Sequence, residues 1–240
     1  MREILDGALF IADAHDNANK KGFLNFLKSL KNKAISTPPQ LFIMGDMFDY
    51  LSNTTYSKEF FKDQIKLLNE LSKEMEIYYF EGNHDYNLAE IFPNIEVFNI
   101  YAQPQIFTDK FGQKVSLAHG DIFLKPFESL ALRFLRNKAF LWIMDLIDRF
   151  FKFKISKLIL AAQAVKRLDY KIVDFEFVIG AKIYNYQTPK IIEGHYHQGV
   201  NLRFDDKIYI NLPCFACEQR YFIVEYTDEM KFQILRSPNV

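Results

Sequence analysis

Short apolar runs typical of buried β-strands recur along the chain, and each is followed at once by polar residues or glycine. The five clearest runs are ALFIA (8–12), LFIM (41–44), IYYF (77–80), KVSLA (114–118) and KIIE (190–193). Segments with helical character lie between several of them, for example at 20–33 and 57–75. Strands that alternate with helices favour an α/β fold whose active loops lie at the carboxyl ends of the strands.

The pattern changes after residue 198. Four short stretches with alternating apolar and polar positions follow: VNLRFDD, KIYINL, RYFIVEY and KFQIL. Such alternation is typical of strands with one buried face, so we expect an antiparallel second sheet from this segment.

Residues 123–171 break the alternation of strands and helices with a long stretch of helical character. Two lines of apolar residues recur there at helical spacing: Phe127, Leu130, Phe134, Leu135, Ala139, Trp142, Leu146 and Phe150, and then Leu132, Phe140, Ile143, Ile147 and Phe151. This apolar arc is wider than one packing face needs, and residues 125–157 hold eight Lys or Arg against three Asp or Glu. Two interpretations stay open: a helical hairpin packed on the sheet, or a basic, apolar surface for acyl chains or an anionic bilayer.

Length and composition narrow the class of protein. The 240 residues and 49% apolar content suit one globular domain with a sizeable core. Thirty basic residues balance thirty acidic ones, so no net charge favours nucleic acid as a partner. The N-terminus is too acidic for a signal peptide, and apolar runs such as AFLWIM are far shorter than the roughly 18 residues of a membrane span. We therefore expect a cytoplasmic protein.

The two cysteines, Cys214 and Cys217, form a lone CxxC. Such a pair can be a redox couple or half of a zinc site, but the chain has no second CxxC and every histidine is far away in sequence. We expect two reduced cysteines in a β-rich segment.

Potential metal ligands and acid–base groups follow the apolar runs in order along the chain. The motifs are DxH (Asp13, His15), GDxxD (Asp46, Asp49), GNHD (Asn83, His84, Asp85), HGD (His119) and GHxH (His195, His197). All five histidines of the chain fall in these motifs, which scattered structural histidines would not do. Neighbouring strands would bring the motifs to one rim of a sheet, where carboxylates and imidazoles can share metal ions.

The ordered set resembles the calcineurin-like metallophosphoesterases, and the resemblance spans residues 13–197. It implies a four-layer αββα sandwich, with residues 1–240 as a single domain and a helical cap insertion at about 123–171. It also implies two divalent metal ions held by one set of ligands: Asp13, His15, Asp46, Asn83, His119, His195 and His197. Asp46 would bridge the ions, His84 would be a catalytic histidine that is not a ligand, and Asp85 would orient it. Such mixed ligands suit Mn²⁺ first, with Fe, Zn or Mg as alternatives.

The insertion looks like that of the UDP-2,3-diacylglucosamine pyrophosphohydrolases of lipid A biosynthesis. That resemblance implies attack of a metal-bridging hydroxide on phosphorus, giving UMP and 2,3-diacylglucosamine 1-phosphate. The best-known branch has Arg at the position of His84, and its Ser/Asn/Lys-rich substrate-binding stretch has no clear counterpart here. Four basic residues are candidates for meeting substrate phosphate: Arg133, Arg136, Lys166 and Arg167. Solvated helix faces are the alternative interpretation of all four.

Two other functions stay open. A cytosolic metal-dependent phosphodiesterase or phosphatase of the same superfamily would act on a nucleotide or generic phosphoester, with a purely structural insertion. A binding scaffold without catalysis would have lost metal ligands, and the sequence retains all of them. For the lipid enzyme we expect a lipid-linked nucleotide substrate and peripheral contact, through the basic apolar insertion, with the cytoplasmic face of the inner membrane.

Overall fold

The structure, a computed structural model, describes residues 1–123 and 126–238, and for residues 126, 127 and 129 the backbone alone. Lys125 and the Phe127 side chain, which belong to the expected basic and apolar surface, therefore lie outside the described residues.

The described residues form eleven strands and eight α-helices. The strands are β1 (Leu9–Ile11), β2 (Gln40–Ile43), β3 (Glu76–Phe80), β4 (Glu96–Phe98), β5 (Gln105–Thr108), β6 (Lys114–Ala118), β7 (Lys190–Glu193), β8 (Asn201–Phe204), β9 (Lys207–Asn211), β10 (Arg220–Tyr226) and β11 (Met230–Arg236). The helices are α1 (Gly22–Lys31), α2 (Thr55–Phe60), α3 (Lys62–Leu71), α4 (Pro126–Leu135), α5 (Lys138–Phe150), α6 (Lys154–Ala164), α7 (Phe175–Ile183) and α8 (Phe215–Glu218).

One sheet has the strand order β11-β10-β1-β2-β3-β4. The strands β1 to β4 run parallel, and β10 and β11 extend the sheet antiparallel to β1. Parallel neighbours need crossover connections, which here contain α1 between β1 and β2 and α2 and α3 between β2 and β3. The carboxyl ends of β1, β2 and β3 consequently meet at one edge, where the DxH, GDxxD and GNHD motifs follow.

The second sheet has the order β5-β6-β7-β9-β8, with β6, β7 and β9 parallel. The HGD and GHxH motifs follow the adjacent strands β6 and β7. The expectation that the C-terminal strands form an antiparallel sheet of their own was wrong. They pair as two antiparallel hairpins, but β8 and β9 join the second sheet and β10 and β11 join the first.

The two sheets and their flanking helices form four layers, which confirms the expected αββα sandwich. Alternate residues of the first sheet point to opposite sides, so Leu9 and Ile11 pack with α1 and α3 while Phe10 packs towards the second sheet. Phe10 and Phe42 stack between the sheets with ring centroids 4.3 Å apart. On the outer face of the second sheet, Ile179 of α7 packs in a third apolar cluster.

The segment after the HGD motif contains α4, α5 and α6 rather than one uninterrupted helix. The break follows Arg136, and Asn137 begins the next helix because its side-chain oxygen accepts a hydrogen bond from the Phe140 amide at 3.0 Å. Among the helices of the described ranges, none is long and apolar enough to cross a membrane.

Candidate metal centre

The chain bends sharply where the strands deliver their polar residues. Asp13, His15, Asp46, His195 and His197 all have left-handed backbone conformations, with φ between 46° and 65°. Each such residue costs of order 1 kcal/mol, and conformations of this kind concentrate at functional sites. The turns place the five side chains at one rim of the two sheets.

One group of potential ligands consists of Asp13, His15 and His197, whose ligand atoms lie within 4.8 Å of one another. The Nε2 atom of His197 is 3.3 Å from an Asp13 carboxylate oxygen. The Nε2 atom of His15 is buried and makes no hydrogen bond within the described residues. A buried imidazole nitrogen without a partner fits a metal ligand, since its burial would otherwise go uncompensated.

The second group consists of Asp46, His119 and His195, again with ligand atoms within 4.8 Å of one another. His119 Nε2 lies 3.3 Å from an Asp46 carboxylate oxygen and 3.2 Å from His195 Nδ1. The Asn83 side-chain oxygen is also buried and lacks a hydrogen bond in the part of the chain that the structure describes. Its chemistry suits a divalent cation, as do the carboxylate and imidazoles beside it.

The two groups are linked through their own backbone. The His195 amide donates to both carboxylate oxygens of Asp13, at 3.1 and 3.0 Å, although its imidazole lies in the other group. The His84 amide donates to the Asp46 carboxylate at 2.8 Å. The structure therefore brings together the candidate ligands in two groups, with Asp46 in the second. Their assignment to two metal ions and the bridging role of Asp46 stay predictions.

Most of the imidazoles are oriented by an oxygen atom on the side away from the carboxylates. Nδ1 of His119 faces the Met44 carbonyl at 2.7 Å, and Nδ1 of His197 faces the Leu168 carbonyl at 3.0 Å. A carbonyl only accepts, so these Nδ1 atoms carry a proton, and Nε2 offers a lone pair once a metal ion takes the place of its own proton. This tautomer directs Nε2 towards the metal groups.

Asp49 holds two histidines at once. Its carboxylate lies 3.4 Å from His15 Nδ1, and its backbone carbonyl accepts from His84 Nδ1 at 2.9 Å. The His84 ring is half-buried and its centroid is 5.1 Å from that of His15, so it lies beside the first group with Nε2 left for proton exchange.

The expectation that Asp85 orients His84 was wrong. The Asp85 carboxylate instead accepts from the amides of Asp46 and Met47, at 3.0 and 2.7 Å, and from the Tyr79 hydroxyl at 2.6 Å. Buried beneath the loops, it satisfies amides of the turn after β2 that have no strand partner. Asp85 therefore shapes the loop that presents Asp46.

Two glycines let the loops approach this closely. A Cβ atom on Gly45 would lie 2.3 Å from His119 Nδ1, and one on Gly82 would lie 2.2 Å from an Asp46 carboxylate oxygen. Any other residue at either position would displace a candidate ligand.

Burial and mutual charge set the protonation of these groups. Burial opposes ionisation of Asp46, but the imidazoles of His119 and His84 hold its pKa well below the usual value. Burial together with the neighbouring His119 charge lowers the pKa of His195 to about 4. Burial likewise opposes protonation of His197, but the Asp13 carboxylate raises its pKa to about 9. Protons on the imidazoles thus balance the negative charge of the buried carboxylates, and a divalent cation can take the place of those protons.

Three supporting groups went unassigned in the sequence analysis. Asp49 carried a signal, since it closes the GDxxD motif. The carbonyls of Met44 and Leu168 carried no signal, because any residue type supplies the same oxygen.

The two cysteines differ in their surroundings. Cys214 is buried and its thiol contacts the Asp13 carbonyl at 3.3 Å, whereas Cys217 is exposed.

The chain is similar to one family profile and to several known proteins. The family profile described as Calcineurin-like phosphoesterase matches residues 8–199. The chain is 25% identical over 202 residues to a UDP-2,3-diacylglucosamine hydrolase of Shewanella piezotolerans, a match that covers 79% of this chain and 82% of that protein. It is 26% identical over 195 residues to a protein of the same name from Pseudomonas aeruginosa, covering 78% and 76% respectively. A solved archaeal phosphodiesterase is similar over 95% of this chain and 99% of that one, with 13% identity and a TM-score of 0.47.

Proposed function

Because the chain belongs to the calcineurin-like phosphoesterase family of metal-dependent hydrolases, we propose that it cleaves the pyrophosphate of UDP-2,3-diacylglucosamine. The products would be UMP and 2,3-diacylglucosamine 1-phosphate, a step of lipid A biosynthesis. The observation that carries the proposal is a largely apolar cleft lined by residues of the metal-centre loops and of the helical insertion. Relatives named for this hydrolase activity support it.

The residues of the centre have distinct tasks in this reaction. Asp13, His15, Asp46, Asn83, His119, His195 and His197 would hold two divalent ions. Mn²⁺ is our first expectation from the mixture of oxygen and imidazole ligands. When bound, the ions would polarise the phosphoryl oxygens and supply an activated water at neutral pH. His84, held by the Asp49 carbonyl, would donate a proton or a hydrogen bond from Nε2 to the departing phosphate oxygen.

The cleft has a volume of about 180 Å³ and lies between the metal-centre loops and the insertion. Tyr50 and Tyr86, which directly follow Asp49 and Asp85, line one side of it. Phe140, Met144 and other apolar side chains of the insertion line it as well, together with the polar residues Asp145, Asp148 and Ser156. An acyl chain whose head group lies at the metals would enter this cleft beside Tyr86, which follows His84 by two residues.

The outer surface of the insertion supports contact with a membrane. Trp142, Phe150, Leu158 and Val165, all of the insertion, are each at least 64% exposed. Lys152, Lys154 and Lys157 lie near them in the sequence and would meet anionic head groups. We propose that this surface seats the enzyme on the bilayer that contains its substrate.

Product analysis with purified protein and Mn²⁺ tests the substrate. We expect UMP from UDP-2,3-diacylglucosamine, and at least about tenfold lower kcat/KM on UDP-N-acetylglucosamine, because the acyl chains contribute binding energy in the cleft. Bis-p-nitrophenyl phosphate serves as the control for a competent metal centre. Equal kcat/KM on both UDP compounds would contradict the lipid substrate. Turnover of the diester alone would favour the general phosphodiesterase. His84 in the GNHD motif, where the lipid enzymes have Arg, is also compatible with that alternative.

A further inference from the structure

Arg136 follows α4 and points into the protein rather than into solvent. Its side chain is buried, and Nη2 donates to the Gly82 carbonyl at 2.9 Å and to the Asp121 carboxylate at 2.8 Å. The guanidinium also lies over the Tyr86 ring, 5.8 Å from its centroid. The sequence interpretation of Arg136 as a residue for substrate phosphate does not fit this position, because the buried guanidinium is directed at the Gly82 carbonyl and at Asp121.

The two partners belong to two different loops of the metal centre. Gly82 directly precedes Asn83, and Asp121 lies two residues after His119. In return, the Asn87 side chain donates to the Arg136 carbonyl at 2.8 Å. One residue of the insertion is thus bonded on three sides to the segments that carry the Asn83 and His119 side chains.

The geometry of the Arg136–Asp121 ion pair is not one that would strongly stabilise the fold. Asp121 Oδ1 and Arg136 Nε are buried and make no hydrogen bond within the residues described, so the guanidinium and the carboxylate meet through one nitrogen instead of a bidentate fork. Burying such a pair costs desolvation that a single contact does not clearly recover. What the contact does provide is a fixed distance between two loops.

We infer that Arg136 is a positioning residue that sets the separation of Asn83 and His119 and so tunes the second metal site from within the insertion. The guanidinium clamps the Gly82 carbonyl and Asp121, so the Asn83 amide and the His119 imidazole move only together. Among the described residues, no hydrogen bond joins Arg136 to a candidate ligand. The inference rests on the dinuclear centre of the proposed function but not on the lipid substrate.

Manganese titration of the chelator-treated, full-length protein tests this inference. Arg136→Met removes all donors, and Arg136→Lys keeps the charge but loses the planar guanidinium whose Nη2 bonds to both partners. We expect the affinity for the second Mn²⁺ to fall about 10–100-fold in Arg136→Met, the range for lost outer partners of metal ligands. A smaller fall is expected in Arg136→Lys and little change for the first ion in either variant. Turnover of bis-p-nitrophenyl phosphate should fall at low Mn²⁺ and recover as Mn²⁺ is raised.

Arg133→Met is the matched control. Arg133 lies one helical turn earlier and is exposed, and its guanidinium is stacked over Tyr101 at 5.4 Å. Its loss should leave both ions bound as in the unchanged protein. Unchanged second-ion affinity in both Arg136 variants would overturn the inference, and so would an equal loss of both ions together with a lower Tm. If Arg136→Met does not fold, Arg136→Lys alone decides by the same criterion. Absent hydrolysis of the UDP-lipid with intact metal binding would count against the substrate only.

Discussion

His84 differs from the other four histidines in its surroundings rather than in its motif. His15, His119, His195 and His197 each present a ring nitrogen to a metal group, and His15 and His119 are fully enclosed. His84 is anchored through Nδ1 to the Asp49 carbonyl and keeps its other nitrogen beside the first group. A residue so placed suits transfer of a proton better than binding of a metal.

We expect His84→Ala, loaded with Mn²⁺ like the unchanged protein, to retain its metal content and to lower kcat on a phosphodiester by about 10²–10⁴-fold, the usual contribution of a positioned general acid. Metal analysis of the purified variant, together with steady-state kinetics, measures the two effects separately. Turnover within a few-fold of the unchanged enzyme would remove His84 from the mechanism. A parallel loss of metal would make it a ligand instead.

The candidate ligands were accessible from the sequence because their types and order are chemical signals. The left-handed backbone at Asp13, His15 and Asp46 could not be predicted from the sequence, because φ is imposed by the turn that follows each strand rather than by the residue type. The role of Asp85 was misjudged for a related reason. Adjacency in GNHD suggested a bond to His84, whereas the fold places its carboxylate under the amides of a different loop.

The loops after β2 and β3 behave as one unit because Asp85 binds them together. Its carboxylate receives the amides of Asp46 and Met47 from one loop while its own chain belongs to the other. Asp46 cannot hold its position if this contact is lost, since the amides that define its turn would be left buried and unpaired. Metal binding and loop stability are therefore coupled at the level of these two elements.

We expect Asp85→Ala to lower the free energy of unfolding by about 1–3 kcal/mol for each of the two orphaned amides and to weaken Mn²⁺ binding. Urea denaturation and metal titration measure the two effects. Tyr79→Phe is the control, because it removes one hydrogen bond to the same carboxylate and should cost only about 0.5–1.5 kcal/mol with metal binding retained. Unaltered metal affinity in Asp85→Ala would show that Asp46 is positioned by other contacts.

Strand positions were predictable where burial dictates the residue types, as KVSLA and KIIE became β6 and β7 at the expected bounds. The sheet that each C-terminal hairpin joins was not predictable. Alternation of apolar and polar residues predicts that a strand has one buried face. The β8–β9 and β10–β11 hairpins share this pattern and yet join different sheets. That choice depends on the tertiary packing of the edges of both sheets, which no local pattern contains.

The whole molecule is asymmetric in its apolar surface. Three clusters bury the large side chains of the sheets and the helices that cover them, whereas the insertion leaves aromatic residues exposed. Its attachment to the rest of the protein is polar in part, since Asp145 of α5 accepts from the Thr55 amide and hydroxyl at 2.8 and 2.9 Å. The apolar residues of the insertion are therefore divided between the cleft and an outward surface.

We expect Trp142→Ser and Phe150→Ser each to weaken binding to vesicles of phosphatidylcholine and phosphatidylglycerol by about tenfold. Loss of one aromatic side chain from an apolar contact removes 1.5–3 kcal/mol at full burial, and partial immersion in a bilayer interface removes about half of that. Vesicle sedimentation with increasing lipid measures the partition directly. Vesicles of phosphatidylcholine alone should bind the unchanged protein more weakly, because the lysines near this surface would lose their anionic partners.

Phe177→Ser is the matched control, since Phe177 of α7 is 81% exposed, close to the 82% of Phe150, but lies outside the insertion. If exposed aromatic surface in general drove binding, this variant would lose as much affinity as Phe150→Ser. If the insertion is the membrane-facing surface, Phe177→Ser should bind as the unchanged protein does. Unchanged turnover of bis-p-nitrophenyl phosphate in all three variants should accompany these results, because the small diester needs the metal centre and not the bilayer. If all three variants bound vesicles as strongly as the unchanged protein, the exposed aromatic residues of the insertion would have no part in membrane contact.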